Sequence, residues 1–198
     1  VLAETYDCYD PAVKKETGSI CHVGSLTYTR GITHLVKAAA QADCTLYLGG
    51  AFSPAAYQDE VLSLPEAAHT RYMFVLNRAQ VMQLLQKSQI GMATILNVGQ
   101  YNQYDNLATK VYEYMALGIP VILSRSSYNE KVTAQYDFGI CVDPANVDEI
   151  ADAIRYLLDH PDEARRMGEN GRRAVKEEFN WAVEEKKLLA LYADILKD

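Results

Sequence analysis

The sequence has few features of a disulfide-bonded or metal-binding protein. Its four cysteines stand far apart, no C-x-x-C pair occurs, and no cluster of cysteine and histidine has the spacing of a zinc site. We therefore predict no metal ligands. Cys44 and Cys141 lie within apolar runs, and we interpret them as small core residues of a reduced, cytoplasmic protein.

An excess of basic residues and a long apolar run are also missing. The chain carries 19 basic and 26 acidic residues, a formal net charge of −7, which argues against a nucleic-acid binder but allows a local basic pocket. No apolar run approaches the ~18 residues of a membrane-spanning helix. With 198 residues, of which 49% are hydrophobic, the chain has the composition of a globular protein and the length for one well-buried core.

Segments of strand length alternate with segments of helical periodicity. The predicted strands are 19–26, 44–50, 70–76, 89–96, 119–124 and 138–144. The predicted helices are 31–42, 54–64, 78–88, 107–117, 130–137, 147–159, 161–178 and 181–196. Alternation of this kind predicts an α/β fold, a doubly wound and mostly parallel sheet with extra C-terminal helices. Residues 1–18 are predicted to be an irregular lead-in.

The loop after the first strand is a candidate anion site. Ligands of doubly wound sheets bind beyond the carboxyl ends of the strands, where helix N-termini point. In "VGSLTYTRGI" (23–32) the strand ends at Gly24, a helix begins near Gly31, and Arg30 adds a permanent cation. The alternative is a tight turn with a solvent-exposed arginine.

The loop "YDNLATKVYE" (104–113) is a second candidate. Lys110 lies in the first turn of a predicted helix, where a cation opposes the helix dipole unless an anion lies nearby. Glu113 follows one turn later, and we interpret it as the residue that holds the sugar hydroxyls of a nucleotide. The alternatives are a surface pair between Glu113 and Lys110 and, for Asp105, a simple helix cap.

Two further features carry weaker signals. The glycines of "LGGAFSP" (48–54) permit close approach of a ligand, but we favour a simple turn. Tyr101 and Tyr104 are candidates for stacking on a base or lining a cleft, although the chain contains 14 tyrosines.

Three segments resemble the C-terminal domain of GT-B fold glycosyltransferases of retaining family 4, also called group 1. They are "HVGSLTYTRGITHLVKA" (22–38), "NLATKVYEYMALGIPVI" (106–122) and "FGICVDPANVDEIADAIRYLLDHPDEARRMGENGRRAVKEEFNW" (138–181). The middle segment is the most specific, and the last resembles the tail pattern of the family. The resemblance extends from about residue 20 to 196, and it implies that the sheet is the Rossmann-like half of a GT-B enzyme.

The resemblance implies a site for the nucleoside-diphosphate sugar that donates the sugar. The family has two acidic residues eight positions apart, and these correspond to Asp105, near the donor sugar, and Glu113, on the ribose hydroxyls. Two family cations that bind the diphosphate correspond to Ser25 and Arg30, so that one cation is absent here. We expect Lys110 to supply part of the missing charge.

The predicted site has catalytic and donor-binding members. Arg30, Lys110 and Asp105 are the predicted catalytic residues, and no nucleophile is assigned. The base is expected near Val75–Arg78, held by backbone contacts. The resemblance further implies retention of anomeric configuration, with no metal and no cofactor apart from the donor substrate. The predicted donor-binding residues are Gly24, Ser25, Arg30, Asn106, Leu107, Ala108, Thr109, Lys110 and Glu113.

The domain organisation predicted from the resemblance has three parts. Residues 1–18 are the lead-in, 19–180 form the domain that binds the nucleotide sugar, and 181–198 form a helix that packs on an absent N-terminal, acceptor-binding domain. The chain begins at Val1 rather than Met, and we expect it to be an excised piece that is inactive alone. At family level we expect a bacterial, cytoplasmic enzyme of polysaccharide or glycan biosynthesis at the inner face of the membrane, with any membrane contact through the absent domain.

Two alternatives remain open at the level of the sequence. One is a Rossmann-like module that binds nucleotides or partners without catalysis. The other is a GT-B-like sugar-nucleotide epimerase, which shares the fold but not the "EYMALGIPVI" pattern.

Overall fold

Six strands form one parallel sheet in the computed structural model, which describes residues 3–99, 103 and 105–196. The strands are β1 (Ser19–Val23), β2 (Thr45–Gly49), β3 (Thr70–Tyr72), β4 (Ile90–Ala93), β5 (Val121–Ser124) and β6 (Gly139–Val142). Their order across the sheet is β3-β2-β1-β4-β5-β6, and each neighbouring pair is parallel. The order reverses between β1 and β4, which makes that boundary the topological switch point of a doubly wound sheet. The predicted fold class is confirmed.

Helices cover both faces of the sheet. They are α1 (Ala3–Asp7), α2 (Ile32–Gln41), α3 (Ala56–Leu62), α4 (Arg78–Lys87), α5 (Thr109–Ala116), α6 (Ser127–Tyr136), α7 (Val147–Asp159), α8 (Pro161–Glu177) and α9 (Trp181–Ile195). Successive residues of a strand point to opposite faces, so Ile20 packs in the cluster that contains α2 and α7, whereas Cys21 packs in the cluster that contains α5 and α8. The site at the switch point is therefore supported by two separate cores.

Local sequence explains several element boundaries. Asn77 caps the start of α4, since its side chain accepts from the backbone N–H of Gln80, whose own side chain completes a capping box. β3 ends at Tyr72 rather than near 76, because Phe74 has a φ of +56° and cannot continue an extended strand. α6 begins three residues before its predicted start, where the Ser126 side chain caps it.

The predicted irregular lead-in contains a helix that packs on the domain. Arg172 on α8 lies over the rings of Tyr6 and Tyr9, 3.7 and 4.1 Å from their centroids, and it donates to the backbone oxygen of Tyr6. Arg78 on α4 donates to the side-chain oxygen of Thr5 at 2.6 Å. These contacts involve partners more than 70 positions away, which local sequence patterns do not reveal.

Helix α9 presents apolar side chains to solvent. None of its side chains, all of which the structure describes, is buried. Its large exposed apolar residues are Trp181, Leu188, Leu189, Leu191, Tyr192 and Ile195. The packing of this helix on another domain stays a prediction. Within the described residues, no helix has both the length and the apolar character needed to cross a membrane.

The cysteines follow the sequence interpretation in part. Cys44 is buried, as predicted for a core residue, whereas Cys141 is half-buried. Both are free, as are Cys8 and Cys21. Tyr101 and Tyr104, the predicted stacking residues, lie outside the described residues.

Candidate functional site

A cleft of about 610 Å³ lies at the carboxyl edge of the sheet, beside the switch point between β1 and β4. Its volume is within the range of small-molecule sites. The nine predicted donor-binding residues all line this cleft, together with Val23, Arg78, Val81 and Ile95. The structure thus brings together residues from loops that are about 80 positions apart, although their role in binding stays a prediction.

The loop after β1 forms one wall of the cleft. Gly24 has a φ of +134°, in the left-handed half of backbone space, and a Cβ atom there would lie 3.3 Å from the amine nitrogen of Lys110. A short 3-10 helix, Tyr28–Arg30, then leads into α2 through Gly31, whose φ is +70°. A Cβ atom at Gly31 would lie 2.4 Å from the carbonyl oxygen of Thr94. These glycines allow the backbone and Arg30 to lie close to the ends of β1 and β4.

Lys110 is partly buried at the start of α5. Its Nζ atom is 2.9 Å from Nε2 of His22, at the end of β1. Burial and then the positive charge of Arg30 lower the pKa of Lys110 from 10.5 to about 7, while Cys21 and Glu113 act weakly in the opposite direction. The site therefore holds two basic groups close together, and one of them is partly removed from water.

Glu113 forms an ion pair with Arg78 and not the local pair with Lys110 considered above. Its Oε1 atom is 2.6 Å from Nη1 of Arg78 on α4. The two side chains are 25% and 55% exposed, so the carboxylate faces the rim of the cleft while Arg78 is open to solvent. Because Arg78 also holds Thr5, the lead-in helix reaches the edge of the site.

The start of α5 offers unsatisfied backbone donors to the cleft. Ala108 is its N-cap residue, and no side chain in the described part of the chain caps it. The start of α2, at Gly31, likewise has no capping side chain among the described residues. The first N–H groups of a helix lack partners within the helix and favour an anion. Four other helices start with capping side chains, Asn77, Ser126, Asn146 and Asn180.

Asp105 is placed differently from the other predicted site residues. It is exposed and is not among the residues that line the cleft. Its contact with the donor sugar stays a prediction. Among the described residues, no group of three or more histidine, cysteine, aspartate or glutamate side chains could hold a metal ion, and metal independence also stays a prediction.

Sequence reasoning missed two residues of the site. His22 is not among the predicted site residues, because an isolated histidine in a strand carries no local signal of its contact with Lys110, 88 positions away. Arg78 was considered only as the end of the region near the base. Its position at the first turn of a helix that follows a strand was the available signal, since such positions lie at the same edge as the other loops.

The chain matches a protein family over most of its length. The model of the family described as Glycosyl transferases group 1 matches residues 10–174. A curated relative, MMP alpha-(1->4)-mannosyltransferase of Mycolicibacterium hassiacum, is 29% identical over 171 residues, which are 82% of this chain and 39% of that protein.

Two solved structures show the same fold. Sucrose-phosphate synthase from Thermosynechococcus elongatus has a TM-score of 0.81 at 22% identity, over 97% of this chain and 51% of that chain. The Anabaena protein HepE in complex with UDP-glucose has a TM-score of 0.73 at 16% identity, over 90% of this chain and 49% of that chain. This chain therefore corresponds to no more than about half of each of these three proteins.

Proposed function

The chain belongs to the glycosyl transferases group 1 family, and we propose that it is the C-terminal, donor-binding domain of a GT-B enzyme that transfers a sugar from a nucleoside-diphosphate sugar. The observation that carries this proposal is the partly buried Lys110 beside Arg30 at the start of α5, which no described side chain caps. Two neighbouring cations repel each other, and burial of one of them is unfavourable unless an anion joins them. A diphosphate supplies two negative charges at that place.

The diphosphate is proposed to lie between Arg30, Lys110 and the first turn of α5. A guanidinium presents several donors that suit phosphate oxygens, and the helix start adds backbone N–H groups. Gly24 leaves room for the ligand to approach the end of β1, since it has no side chain to fill the space beside Lys110. Ser25, where family members often carry an arginine, adds only a hydroxyl.

The ribose is proposed to bind Glu113. One carboxylate oxygen of Glu113 pairs with Arg78, and a carboxylate has lone pairs on both oxygens. Ribose hydroxyls can therefore donate to the second oxygen while the ion pair remains. The base is proposed to lie near Val75–Arg78, where Val75 is exposed at the same edge of the sheet.

The same groups would assist the chemistry. When the bond between the anomeric carbon and the phosphate oxygen breaks, its electron pair stays on the departing nucleoside diphosphate. The acceptor hydroxyl forms the new bond to the anomeric carbon, and its proton passes to the departing diphosphate. Arg30, Lys110 and the start of α5 would stabilise the charge on the leaving group. This supply of positive charge supports transfer without a divalent ion, and we propose retention of configuration, as in the family resembled. Asp105 is proposed to approach the donor sugar.

A second domain is proposed to complete the enzyme. The chain spans 39% of the mannosyltransferase relative, and α9 exposes a row of apolar side chains. We propose that α9 packs on an N-terminal domain that binds the acceptor, and that this chain alone binds donor weakly and does not catalyse transfer. For the whole enzyme we propose a role in polysaccharide or glycan biosynthesis on the cytoplasmic side of the membrane.

Calorimetric titration of this chain tests the proposal. UDP, GDP and ADP and their common sugars are the ligands, and the corresponding nucleosides are the controls. HepE with bound UDP-glucose makes uridine compounds the first choice. We expect one nucleoside diphosphate to bind and, at a hundred times its dissociation constant, to raise the free energy of unfolding by about 2.7 kcal/mol.

Matched variants give this experiment its control. Lys110→Met should weaken the binding of the nucleoside diphosphate, whereas Lys176→Met, at an exposed position of α8, should leave that binding unchanged. Equal binding of nucleoside and nucleoside diphosphate would refute the proposed diphosphate site. Glu113→Ala in the full-length protein separates an enzyme, which loses transfer activity, from a module that binds nucleotides without catalysis.

A further inference from the structure

A buried histidine contacts the central cation of the proposed site. His22 is the fourth residue of β1, and its side chain has no exposed surface. Its Nε2 atom lies 2.9 Å from Nζ of Lys110, and its Nδ1 atom lies 3.1 Å from the carbonyl oxygen of Met92 on β4. The imidazole thus bridges the two strands at the switch point and the start of α5.

The contacts of His22 define which of its nitrogens carries the proton. A carbonyl oxygen only accepts hydrogen bonds, so Nδ1 carries the proton that is donated to Met92. The pKa of His22 is held well below its usual value, first by burial and then by the charges of Lys110 and Arg30, although the backbones of Met92 and Ser25 act in the opposite direction. The ring is therefore neutral, and Nε2 is an acceptor for a proton of Lys110.

The position of this acceptor matters because lysine is a flexible cation. A lysine side chain is a flexible four-carbon chain, and it loses considerable rotamer freedom when it is fixed in one position. The contact with His22 holds the amine beside Gly24, at the end of β1, before any ligand arrives. Fixing a binding group in its bound position reduces the entropy that is lost on binding.

We propose that His22 is a positioning residue for the donor diphosphate, which accepts a hydrogen bond from Lys110 and keeps that cation in the cleft; the proposal rests on the proposed function. His22 does not contact the diphosphate itself. It acts through Lys110, which supplies charge near Ser25, where the resembled family has a cation that this chain lacks.

Two substitutions separate the two contacts of the imidazole. In His22→Asn the side-chain amide can still donate to Met92, but it does not reach Lys110. In His22→Gln the longer side chain places an acceptor oxygen near the position of Nε2. If His22 were purely structural, His22→Asn, which keeps the bond to Met92, should be the milder change. If it positions Lys110, glutamine should rescue diphosphate binding and asparagine should not.

The dissociation constants of UDP and GDP, measured with each variant, give the readout. For whichever of the two nucleotides binds, we expect His22→Asn to raise the dissociation constant by about tenfold and His22→Gln to raise it by less than about threefold. Uridine and guanosine, which lack the diphosphate, should bind all variants equally. In a Lys110→Met background, His22→Asn should change affinity less than about twofold, because the two residues act as one unit.

Measurements on the protein without ligand test the contact between His22 and Lys110 independently of nucleotide binding. The NMR signal of the Lys110 side-chain carbon next to the amine, identified by its loss in Lys110→Met, should titrate at a different pH in His22→Asn and near the wild-type pH in His22→Gln. Thermal unfolding of the free variants checks that they are folded.

Two results would overturn the role of His22. They are an unchanged Lys110 titration in His22→Asn and additive effects of His22→Asn and Lys110→Met on diphosphate affinity. If the wild type bound none of UDP, GDP and ADP while the Lys110 titration still shifted, the proposed function would fail and the pairing of the two residues would stand.

Discussion

The substitution Glu113→Ala tests the ribose contact directly. The carboxylate of Glu113 is 25% exposed and holds Arg78 through one oxygen, which leaves the other oxygen for ribose hydroxyls. A hydrogen bond to a charged group contributes about 1.5–3 kcal/mol. Since about 1.4 kcal/mol is a tenfold change in affinity, the wild type should prefer a ribonucleoside diphosphate over its 2′,3′-dideoxy counterpart by roughly 10- to 150-fold.

The assay is a pair of calorimetric titrations for each protein, with UDP or GDP and with the matching dideoxynucleotide. Glu113→Ala should bind the two ligands within about threefold of each other, because the group that distinguishes them is gone. Lys110→Met should bind both more weakly and keep the preference, since it acts on the diphosphate. Glu60→Ala, at an exposed position of α3, is the matched control.

Loss of folding is not expected to complicate this result. The ion pair between Glu113 and Arg78 is partly exposed, and exposed pairs contribute about 0–1 kcal/mol to stability. If Glu113→Ala kept the wild-type preference for the ribonucleotide, Glu113 would not be the ribose ligand and the reasoning would be wrong.

Three other predictions follow from the geometry. The pKa of Lys110 is about 7 in the free chain, and a bound diphosphate favours the charged form of this lysine. The affinity for nucleoside diphosphate should therefore be highest below pH 7 and fall by up to about tenfold per pH unit above it. The same dependence of affinity on pH in Lys110→Met would contradict this. Gly91→Ala would place a Cβ atom 2.5 Å from the buried ring of Tyr114, so we expect thermal unfolding to show a loss of about 1–3 kcal/mol in stability. In Gly49→Ala the new Cβ atom meets the flexible end of the Leu76 side chain at 3.1 Å, so the loss should be smaller. Equal losses in the two variants would refute this reasoning. Leu189→Glu on α9 should change the stability of this chain by less than about 0.5 kcal/mol. In the full-length protein it should increase proteolysis near α9, because it would disturb the packing of α9 on the second domain. An unaltered digestion pattern would argue against that packing.

The repeating elements could be predicted because each depends on nearby residues. The apolar strand segments and the helical periodicity are local signals, and they locate the sheet and its helices within a few residues. The predicted and observed boundaries of an element differ where the backbone leaves the regular conformation, as at Phe74 with its positive φ. The helix in the lead-in was missed because its contacts are with α4 and α8.

The site was only partly predictable for the same reason. Lys110 was recognisable because a cation in the first turn of a helix conflicts with the dipole, and such a conflict can be read from the sequence. Its partner His22 and the partner of Glu113, Arg78, could not be identified, since those contacts join residues 88 and 35 positions apart. Only the fold brings these side chains to one edge of the sheet.

We propose that a nucleoside diphosphate lies at the carboxyl edge of the sheet, between Arg30, Lys110 and the start of α5. Backbone amide NMR shifts of the isotope-labelled chain, followed during titration with UDP, GDP and ADP, test this placement. We expect the largest shifts at Gly24, Ser25, Thr109 and Lys110. Shifts that concentrate instead at the opposite edge of the sheet, around Gly118, or that are absent with all three nucleotides, would refute it.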